Sequence, residues 1–366
     1  MDVGRIVVAG AGAVGSTIAC VLAHAGHAVT VVDPAPLGAN ASGVAAGMLA
    51  PAFETLFDEA SASRHGLFAE ARDLWPALAR TIGLELARDG ALAIGHEAEA
   101  RAWAASLAAR GVEAQLLTPD EATRIAAGLP ANAWAVFAPG DWRLDPMPAL
   151  AALRRAAEGA GARFVAGRVL GFDGRAVEIE GATPLAADSL VIATGAAMGL
   201  TTLAPELTAL TPIKGHILRA PGEAVDQPVI RAPGVYVCRA AGEVIVGATM
   251  EPGRSDTAID AEAVHRLIEA AAPLTASLGP LDWRASAGVR AATPDGLPLV
   301  GRSRTPGVIL AVGARRNGWL LAPLIAETVR AAVEGSAFAA VAIFDPARAG
   351  GMGGGGVRAS PQTPKP

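Results

Sequence analysis

The stretch Arg5–Asp33, RIVVAGAGAVGSTIACVLAHAGHAVTVVD, decides the fold of this chain. It begins with Ile6–Ala9, a short apolar run typical of a buried parallel strand. Apolar residues from Val14 onward then recur at helical spacing, and Gly26 stands where a helix usually ends. A second apolar strand follows at Ala28–Val32. The order strand, glycine turn, helix and strand predicts a Rossmann-like α/β fold.

The glycines in this stretch have the spacing of a dinucleotide site, since Gly10, Gly12 and Gly15 form G-x-G-x-x-G. The first allows a tight turn, the second lets the backbone approach a pyrophosphate, and the third lets the helix pack on the strand. Asp33 ends the second strand, where an acid can accept hydrogen bonds from an adenosine ribose. The alternative is a glycine turn in an ordinary βαβ unit. The pattern predicts a dinucleotide, with NAD and FAD both open.

Composition limits the classes of function. With 366 residues the chain is long enough for two domains, and its net charge of −5 argues against charge-driven binding of nucleic acid. Two cysteines, Cys20 and Cys238, are too few for a disulfide framework or a metal site, so no metal is expected. Ile6–Ala23 is uncharged and could resemble a membrane segment, but its glycine spacing and the following Asp33 oppose that interpretation. We expect a soluble, cytoplasmic protein.

Three segments indicate how the rest of the chain is organised. Phe57–Ile82 has the pattern of one long helix, and Ala187–Ala196 that of a buried strand returning to the first sheet, which predicts a discontinuous nucleotide domain. Between Pro212 and Arg290 the short strands and turns are typical of an antiparallel sheet. Residues 346–366 are rich in glycine and proline, and we predict a disordered tail.

Four sequence blocks resemble one protein family. They are GAGAVG with Asp33, ASGVAAGMLAP at 41–51, GVRAATPDGLPLVG at 288–301 and GARRNGWLLAP at 313–323. Together they resemble the FAD-dependent amine and D-amino-acid oxidases, most of all the glycine oxidases of thiamine biosynthesis. The resemblance covers nearly the whole chain and favours FAD over NAD. It implies a discontinuous FAD-binding domain at 1–83, 140–210 and 288–345, and a substrate-binding domain at 84–139 and 211–287 with a mainly antiparallel sheet.

The resemblance also implies which residues contact a non-covalent FAD. They are Gly10, Gly12, Ala13, Val14, Gly15, Asp33, Ser42, Ala45, Ala46, Gly47, Met48, Val169, Gly195, Arg315, Asn317, Gly318 and Trp319. The last of these surround the start of a helix that would point at the flavin ring. A helix N-terminus there would stabilise negative charge on the reduced ring.

The residues implied to act on the substrate are Arg290, Tyr236, Arg316 and Met250. Arg290 has independent chemical support, because a planar guanidinium can hold a carboxylate through two parallel hydrogen bonds and lysine cannot. The alternatives are a salt bridge for Arg290, a core aromatic for Tyr236 and simple packing for Met250.

The chain departs from the family pattern in three places. In the last loop the family has a histidine followed by an aromatic residue, and this chain has Ala314-Arg315. His216 replaces a glutamine, and Gly234 stands where the family has a pocket histidine. These positions lie where substrate size and oxygen reactivity are decided in the family.

The resemblance implies oxidative deamination of a small amino acid, namely glycine, sarcosine or a small D-amino acid, by hydride transfer to flavin. The products would be an imino and then a keto acid, ammonia and hydrogen peroxide, with O2 as the acceptor. It also implies a possible link to thiazole synthase and a possible homo-oligomer, with no nucleic-acid or membrane partner. Two alternatives stay open: a D-amino-acid dehydrogenase that passes electrons to a carrier, and a tRNA-modifying flavin oxidase domain.

Overall fold

The computed structural model describes residues 3–222, 227–240, 242–275, 280–338 and 340–351. The strands are β1 (Arg5–Ala9), β2 (Ala28–Asp33), β3 (Met48–Leu49), β4 (Ala91–Gly95), β5 (Gln115–Leu117), β6 (Trp134–Ala138), β7 (Trp142–Arg143), β8 (Arg163–Ala166), β9 (Val169–Phe172), β10 (Ala176–Ile179), β11 (Leu185–Ala186), β12 (Ser189–Ile192), β13 (Thr211–Pro221), β14 (Val229–Ala232), β15 (Val235–Ala240), β16 (Glu243–Gly247), β17 (Glu251–Pro252), β18 (Arg284–Ala292), β19 (Leu299–Arg302) and β20 (Val308–Val312). The helices are α1 (Ala13–His24), α2 (Ala41–Val44), α3 (Pro51–Phe57), α4 (His65–Ile82), α5 (Glu97–Ala108), α6 (Pro119–Ile125), α7 (Pro146–Gly159), α8 (Ala261–Thr275), α9 (Gly318–Glu334) and α10 (Ala340–Phe344).

The N-terminal stretch lies at the centre of a sheet whose described strands number six, in the order β19-β20-β12-β1-β2-β8. β1 pairs in parallel with both β2 and β12, and β8 continues the parallel sheet beside β2. β20 lies parallel to β12, while β19 runs antiparallel at the edge. The sheet draws its strands from widely separated parts of the chain. The predicted α/β class with a Rossmann-like parallel sheet is confirmed.

The second large sheet has nine described strands, ordered β17-β13-β16-β15-β14-β4-β6-β5, with β18 also paired to β13. Its ladders are antiparallel except between β14 and β4, as the short strands and turns predicted. β18 pairs with β13 along nearly its whole length, from Arg284 opposite Arg219 to Ala292 opposite Thr211. The predicted boundary at residue 288 therefore falls inside a strand.

The prediction of one helix over Phe57–Ile82 is wrong. Helix α3 ends at Phe57, a short 3-10 helix covers Glu59–Ser61, and α4 starts only at His65. Asp58 breaks the helix with extended backbone, φ −130° and ψ 107°. Its buried carboxylate accepts from the Ser61 hydroxyl and pairs with Arg315, which is 257 positions away. Helical periodicity cannot reveal such a distant partner.

The predicted disordered tail is partly wrong. Pro346–Gly351 forms a 3-10 helix, and Arg348 anchors it by donating to the carbonyl oxygens of Leu297 at 2.7 Å and Pro298 at 2.6 Å. Residues 352–366 lie outside the described residues.

Helix α9 packs against α1 and α4 and so has a fixed position over the parallel sheet. The indole nitrogen of Trp75 in α4 donates to the Trp319 carbonyl at 3.1 Å, in the first turn of α9. Gly335, with φ +69°, ends the helix in the left-handed conformation that favours glycine. The N-terminus of α9 is thereby held at the edge where the two large sheets meet. No described helix is both long and apolar enough to span a membrane.

Candidate active site

The glycine turn after β1 brings the start of α1 against the end of β12. Gly10 has φ +108°, and a side chain there would overlap the carbonyl oxygen of Ala193. A side chain at Gly15 would overlap the carbonyl oxygen of Gly10, so this glycine serves helix packing, as its position in the motif predicted. At Gly12 the nearest atom to an added Cβ is the Ser42 hydroxyl, at 3.0 Å. A side chain at Gly12 would therefore crowd the Ser42 hydroxyl.

Polar side chains hold this turn in place. The Asp33 carboxylate accepts from the Ala11 backbone N–H at 2.6 Å and from that of Ala35 at 2.8 Å. The Ser42 hydroxyl accepts from the Ala13 N–H at 2.9 Å. Asp33 thus has a structural task within the protein, beside the ribose contact that the sequence predicts for it.

A long groove of about 1680 Å³ runs from this turn to the start of α9. Most of the predicted cofactor residues line it, namely Gly10, Gly12, Ala13, Val14, Asp33, Ser42, Ala45, Val169, Gly195, Arg315, Gly318 and Trp319. Ala314, a departure from the family pattern, also lines it. Gly15 does not line the groove, because its place is the contact between helix and turn.

A smaller cavity of about 700 Å³ adjoins the groove. Its lining includes the predicted residues Ala46, Gly47, Met48, Tyr236, Met250 and Asn317. Five residues line both spaces and therefore mark their junction, namely Ala41, Ala45, Arg290, Arg316 and Trp319. The indole nitrogen of Trp319 donates to the Ser42 carbonyl at 3.0 Å, which ties α9 to α2 at this point.

Arg290 is the cation at the junction that lacks an anionic partner. Its guanidinium donates to the Met250 sulfur at 2.7 Å, and among the described residues it forms no ion pair with a carboxylate. The guanidinium lies over Gly215, where any side chain would overlap it. Burial lowers the pKa of Arg290, and the neighbouring positive charge of Arg316 lowers it further. A cation in this position is suited to an anionic ligand, since a buried charge without a partner is costly.

Tyr236 lies on β15 beside the same cavity and is 6% exposed. Its ring covers Gly247 on the neighbouring strand β16, where a side chain would overlap the hydroxyl. Burial raises the pKa of Tyr236 to about 12, although the nearby Arg290 acts in the opposite direction. The phenol is therefore neutral at pH 7 and can act as a hydrogen-bond donor at the cavity.

The other arginines at the junction are paired with acids that the sequence analysis missed. Glu54, on α3, lies 2.9 Å from Nε of Arg316 and 3.0 Å from Nη2 of Arg231. Arg315, with the unusual φ of +51°, pairs with Asp58. The sequence did contain a signal for Glu54, because it is the one charged residue in the apolar segment PAFETLF. Arg316 thus has an acidic partner within the protein, which it shares with Arg231, in contrast to Arg290.

Two further departures from the family pattern lie outside both cavities. Gly234, with φ +80°, is exposed in the turn between β14 and β15, so it is not a pocket residue. His216 is fully buried on β13. Its neighbour Gly215 faces the cavity, as expected from the alternation of side chains along a strand.

The model of the family described as FAD dependent oxidoreductase (DAO) matches residues 5–332. The chain belongs to this family. The oxidoreductase is 33% identical to the glycine oxidase of Geobacillus kaustophilus (strain HTA426), over 90% of this chain and 92% of that protein. The crystal structure of a glycine oxidase from Geobacillus kaustophilus superimposes with a TM-score of 0.82 at 28% identity, covering 94% of this chain and 98% of the other.

Two further relatives carry different names. A candidate thiamine biosynthesis oxidoreductase, ThiO, of Rhizobium etli is 31% identical over 89% of this chain and 95% of its own length. The tRNA 5-methylaminomethyl-2-thiouridine biosynthesis bifunctional protein MnmC of Maricaulis maris is 31% identical over 91% of this chain, which spans only 52% of that protein. The family resemblance inferred from the four sequence blocks is confirmed.

FAD is the cofactor of this oxidoreductase, and the groove fits it. Gly12 and Gly195 line the groove without side chains of their own, and no atom lies within 4 Å of an added carbon at Gly195, which leaves room for a phosphate chain near the positive end of α1. At the other end, the start of α9 and the junction arginines supply positive charge, which suits an electron-accepting ring that becomes anionic. The residues that would hold the two ends of the cofactor are therefore in one continuous groove.

Proposed function

We propose that the protein oxidises the amino group of a small amino acid, with FAD as electron acceptor. Glycine, sarcosine and small D-amino acids are the proposed substrates. The first product is the imino acid, which water converts to the keto acid and ammonia, or methylamine in the case of sarcosine, while O2 is reduced to hydrogen peroxide. The observation that supports this most strongly is Arg290, a half-buried cation at the junction whose described surroundings contain no carboxylate paired with it. The names of the relatives support the same substrate class.

Arg290 would bind the substrate carboxylate through two parallel hydrogen bonds. Held at the junction, the carboxylate places the adjacent Cα–N bond towards the groove, and Tyr236 can donate a further hydrogen bond from its neutral hydroxyl. FAD, when bound, would accept the hydride lost from Cα, which leaves a double bond between Cα and the nitrogen. Proximity and electrostatics then supply the catalysis, so a dedicated general base is not required.

The cavity wall suits a substrate without further charge. Apart from the junction arginines and Glu54, its lining consists of small or apolar residues with Tyr236 and Asn317. Arg316 and Arg231 share the carboxylate of Glu54, and Arg315 pairs with Asp58. Arg290 is thus the junction arginine without a carboxylate partner among the described residues, and the small or apolar wall offers no partner for a second carboxylate, which favours a monocarboxylic amino acid over a dicarboxylic one.

The decisive test is anaerobic reduction of the purified yellow protein. Glycine, sarcosine, D-alanine and D-aspartate are added in turn, and loss of flavin absorbance is followed. We expect the first three to bleach the flavin and D-aspartate to act poorly. Failure of every amine and amino acid to bleach it would contradict the proposal. Cys20 and Cys238 line neither cavity, so we also expect acid precipitation to release the FAD intact.

Peroxide formation distinguishes the oxidase from a dehydrogenase. We propose O2 as the acceptor, and one peroxide should form for each amino acid consumed in air. Rapid anaerobic bleaching with slow reoxidation in air would favour the dehydrogenase, which passes electrons to a carrier.

The similarity to the MnmC protein supports a second candidate, oxidation of a methylaminomethyl group on tRNA. The net charge of −5 opposes binding of a polyanion. Flavin reduction by undermodified tRNA, and not by free amino acids, would favour this second function.

The similarity to the candidate thiamine biosynthesis oxidoreductase supports a role in forming the thiazole of thiamine. We propose that the imino acid passes to a thiazole synthase. Thiamine-free growth of a bacterium that lacks its own glycine oxidase, restored by this chain, would test that role.

A further inference from the structure

A segment at residues 249–260 folds behind the cavity and supplies part of its wall. Met250 lines the cavity and accepts the hydrogen bond from Arg290 at 2.7 Å. On either side of it, Thr249 and Glu251 point the other way, towards His216. This alternation is what an extended backbone imposes. The position of Met250 therefore depends on how firmly its two neighbours are held.

His216 holds both neighbours from behind. Its backbone N–H donates to the Thr249 hydroxyl at 2.8 Å, and that hydroxyl donates to Glu251 Oε1 at 2.8 Å. The backbone N–H of Asp260 donates to His216 Nε2 at 3.1 Å, which assigns the ring proton to Nδ1. Nδ1 then donates to Glu251 Oε1 at 2.9 Å. A single fully buried ring thus connects both ends of the 249–260 segment.

Lys214, two residues before His216, holds the same segment. Its side chain is fully buried and its ammonium lies 2.6 Å from Asp256 Oδ1. Both side chains leave β13 on the face away from the cavity, while Gly215 between them faces Arg290. On the cavity side, β13 therefore has only the backbone of Gly215. On its other side, Lys214 and His216 bind the 249–260 segment.

We propose that His216 is a positioning residue for substrate recognition: by holding Thr249 and Glu251 it fixes Met250 against Arg290, and so sets the orientation of the guanidinium that binds the carboxylate. This inference rests on the proposed function of the site. It assigns a role to a residue that touches neither the groove nor the cavity.

The experiment compares four holoenzymes: wild type, His216→Phe, His216→Gln and the control His265→Phe. Phenylalanine fills the space without hydrogen bonds, whereas glutamine retains one donor and one acceptor. His265 is an exposed histidine on α8, with a side chain that is 69% exposed. Binding of acetate is measured from the change that it causes in the flavin absorption spectrum, and KM and kcat are measured with glycine and D-alanine.

We expect His216→Phe to weaken acetate binding and to raise KM about tenfold, with kcat changed less than about threefold. His216→Gln should restore both to within about threefold, and His265→Phe should match the wild type. In a Met250→Ala background the effect of His216→Phe should fall below about twofold, because the residue acts through Met250.

Wild-type acetate affinity in His216→Phe would overturn the inference, as would an undiminished effect in the Met250→Ala background. If His216→Phe yields no folded holoenzyme, Glu251→Leu decides, because leucine cannot accept the hydrogen bonds from His216 and Thr249, and an unchanged acetate affinity in that variant would also overturn the inference. A wild-type protein that binds acetate but is reduced by no amino acid would contradict the proposed function while leaving this inference standing.

Discussion

The groove and the smaller cavity are built by different means. The groove is formed where strands of the parallel sheet end, and its turn is held by local contacts such as that of Asp33 with the Ala11 N–H, 22 positions apart. The cavity lies on the antiparallel sheet and depends on ion pairs over long separations, such as Arg231 with Glu54, 177 positions apart. The phosphate chain of the cofactor is recognised through the shape of the backbone around it, whereas the substrate is recognised through the balance of charges in the cavity.

Replacing Arg290 should produce the largest effect and should leave the groove intact. Arg290→Leu removes the cation that the described acids do not compensate, and we expect a loss of about a thousandfold in kcat/KM, equivalent to roughly 4 kcal/mol. FAD content should be unchanged. Stability should be equal or higher, because a buried charge without a partner is removed.

Flavin reduction kinetics and urea unfolding of Arg290→Leu measure these two effects. Arg155→Leu, a change at an exposed position on α7, is the control and should behave as wild type. An Arg290→Leu variant with normal kcat/KM would show that the carboxylate binds elsewhere.

Gly15→Ala should lower the stability of the protein and its FAD content, because it disturbs the turn at one end of the groove. The added methyl group overlaps the Gly10 carbonyl, so we expect a loss of about 3 kcal/mol in unfolding free energy and purification without FAD. Gly66→Ala in α4 is the matched control, since no atom lies within 4 Å of the added carbon there. Flavin absorbance per protein and urea unfolding decide the outcome. A yellow Gly15→Ala protein of normal stability would contradict the close packing of α1 on its turn.

Asp141, which binds the start of the helix next to the cavity, should make the free energy of unfolding depend on pH. The Asp141 carboxylate accepts from the N–H groups of Ala52 and Phe53 at 2.8 and 3.0 Å, at the start of the helix that bears Glu54. Burial raises the pKa of Asp141 to about 7. Because the folded protein then holds the proton more tightly than the unfolded chain, stability falls as pH rises from the ordinary aspartate pKa of about 4 towards 7.

Between pH 5 and 7 we expect a loss of about 2 kcal/mol from this group, measured by urea unfolding. Asp141→Asn should remove that slope, whereas Asp89→Asn, at an exposed position, should keep it. An unchanged slope in Asp141→Asn would rule out this group as the source.

The smallest effect should come from Trp319, which lines both the groove and the cavity. Trp319→Phe removes the hydrogen bond to the Ser42 carbonyl, and we expect a loss of about 1 kcal/mol in unfolding free energy and a modest rise in the Kd for FAD. Trp283→Phe is the control, because the part of the chain described by the structure offers its indole no hydrogen bond. Equal stability losses in both variants would indicate that ring volume, rather than the hydrogen bond, is responsible.

The sequence by itself determined the parallel sheet, the glycine turn and the family. These features depend on neighbouring residues: Gly10, Gly12 and Gly15 act within one turn, in the same way that Thr118 and Glu121 form a capping box three residues apart. It also indicated Arg290, since the chemistry of carboxylate binding restricts the choice of residue type.

Only the tertiary structure decided which arginine is left without an acid. Arg290, Arg315 and Arg316 are close together, and nothing in their local sequence separates them; Glu54 and Asp58 do so from more than 200 positions away. Asp58, which pairs with Arg315, also stands where the helix ends after Phe57. Charge compensation and burial depend on distances in space, and for residues this far apart in the chain those distances are set by the packing of the sheets.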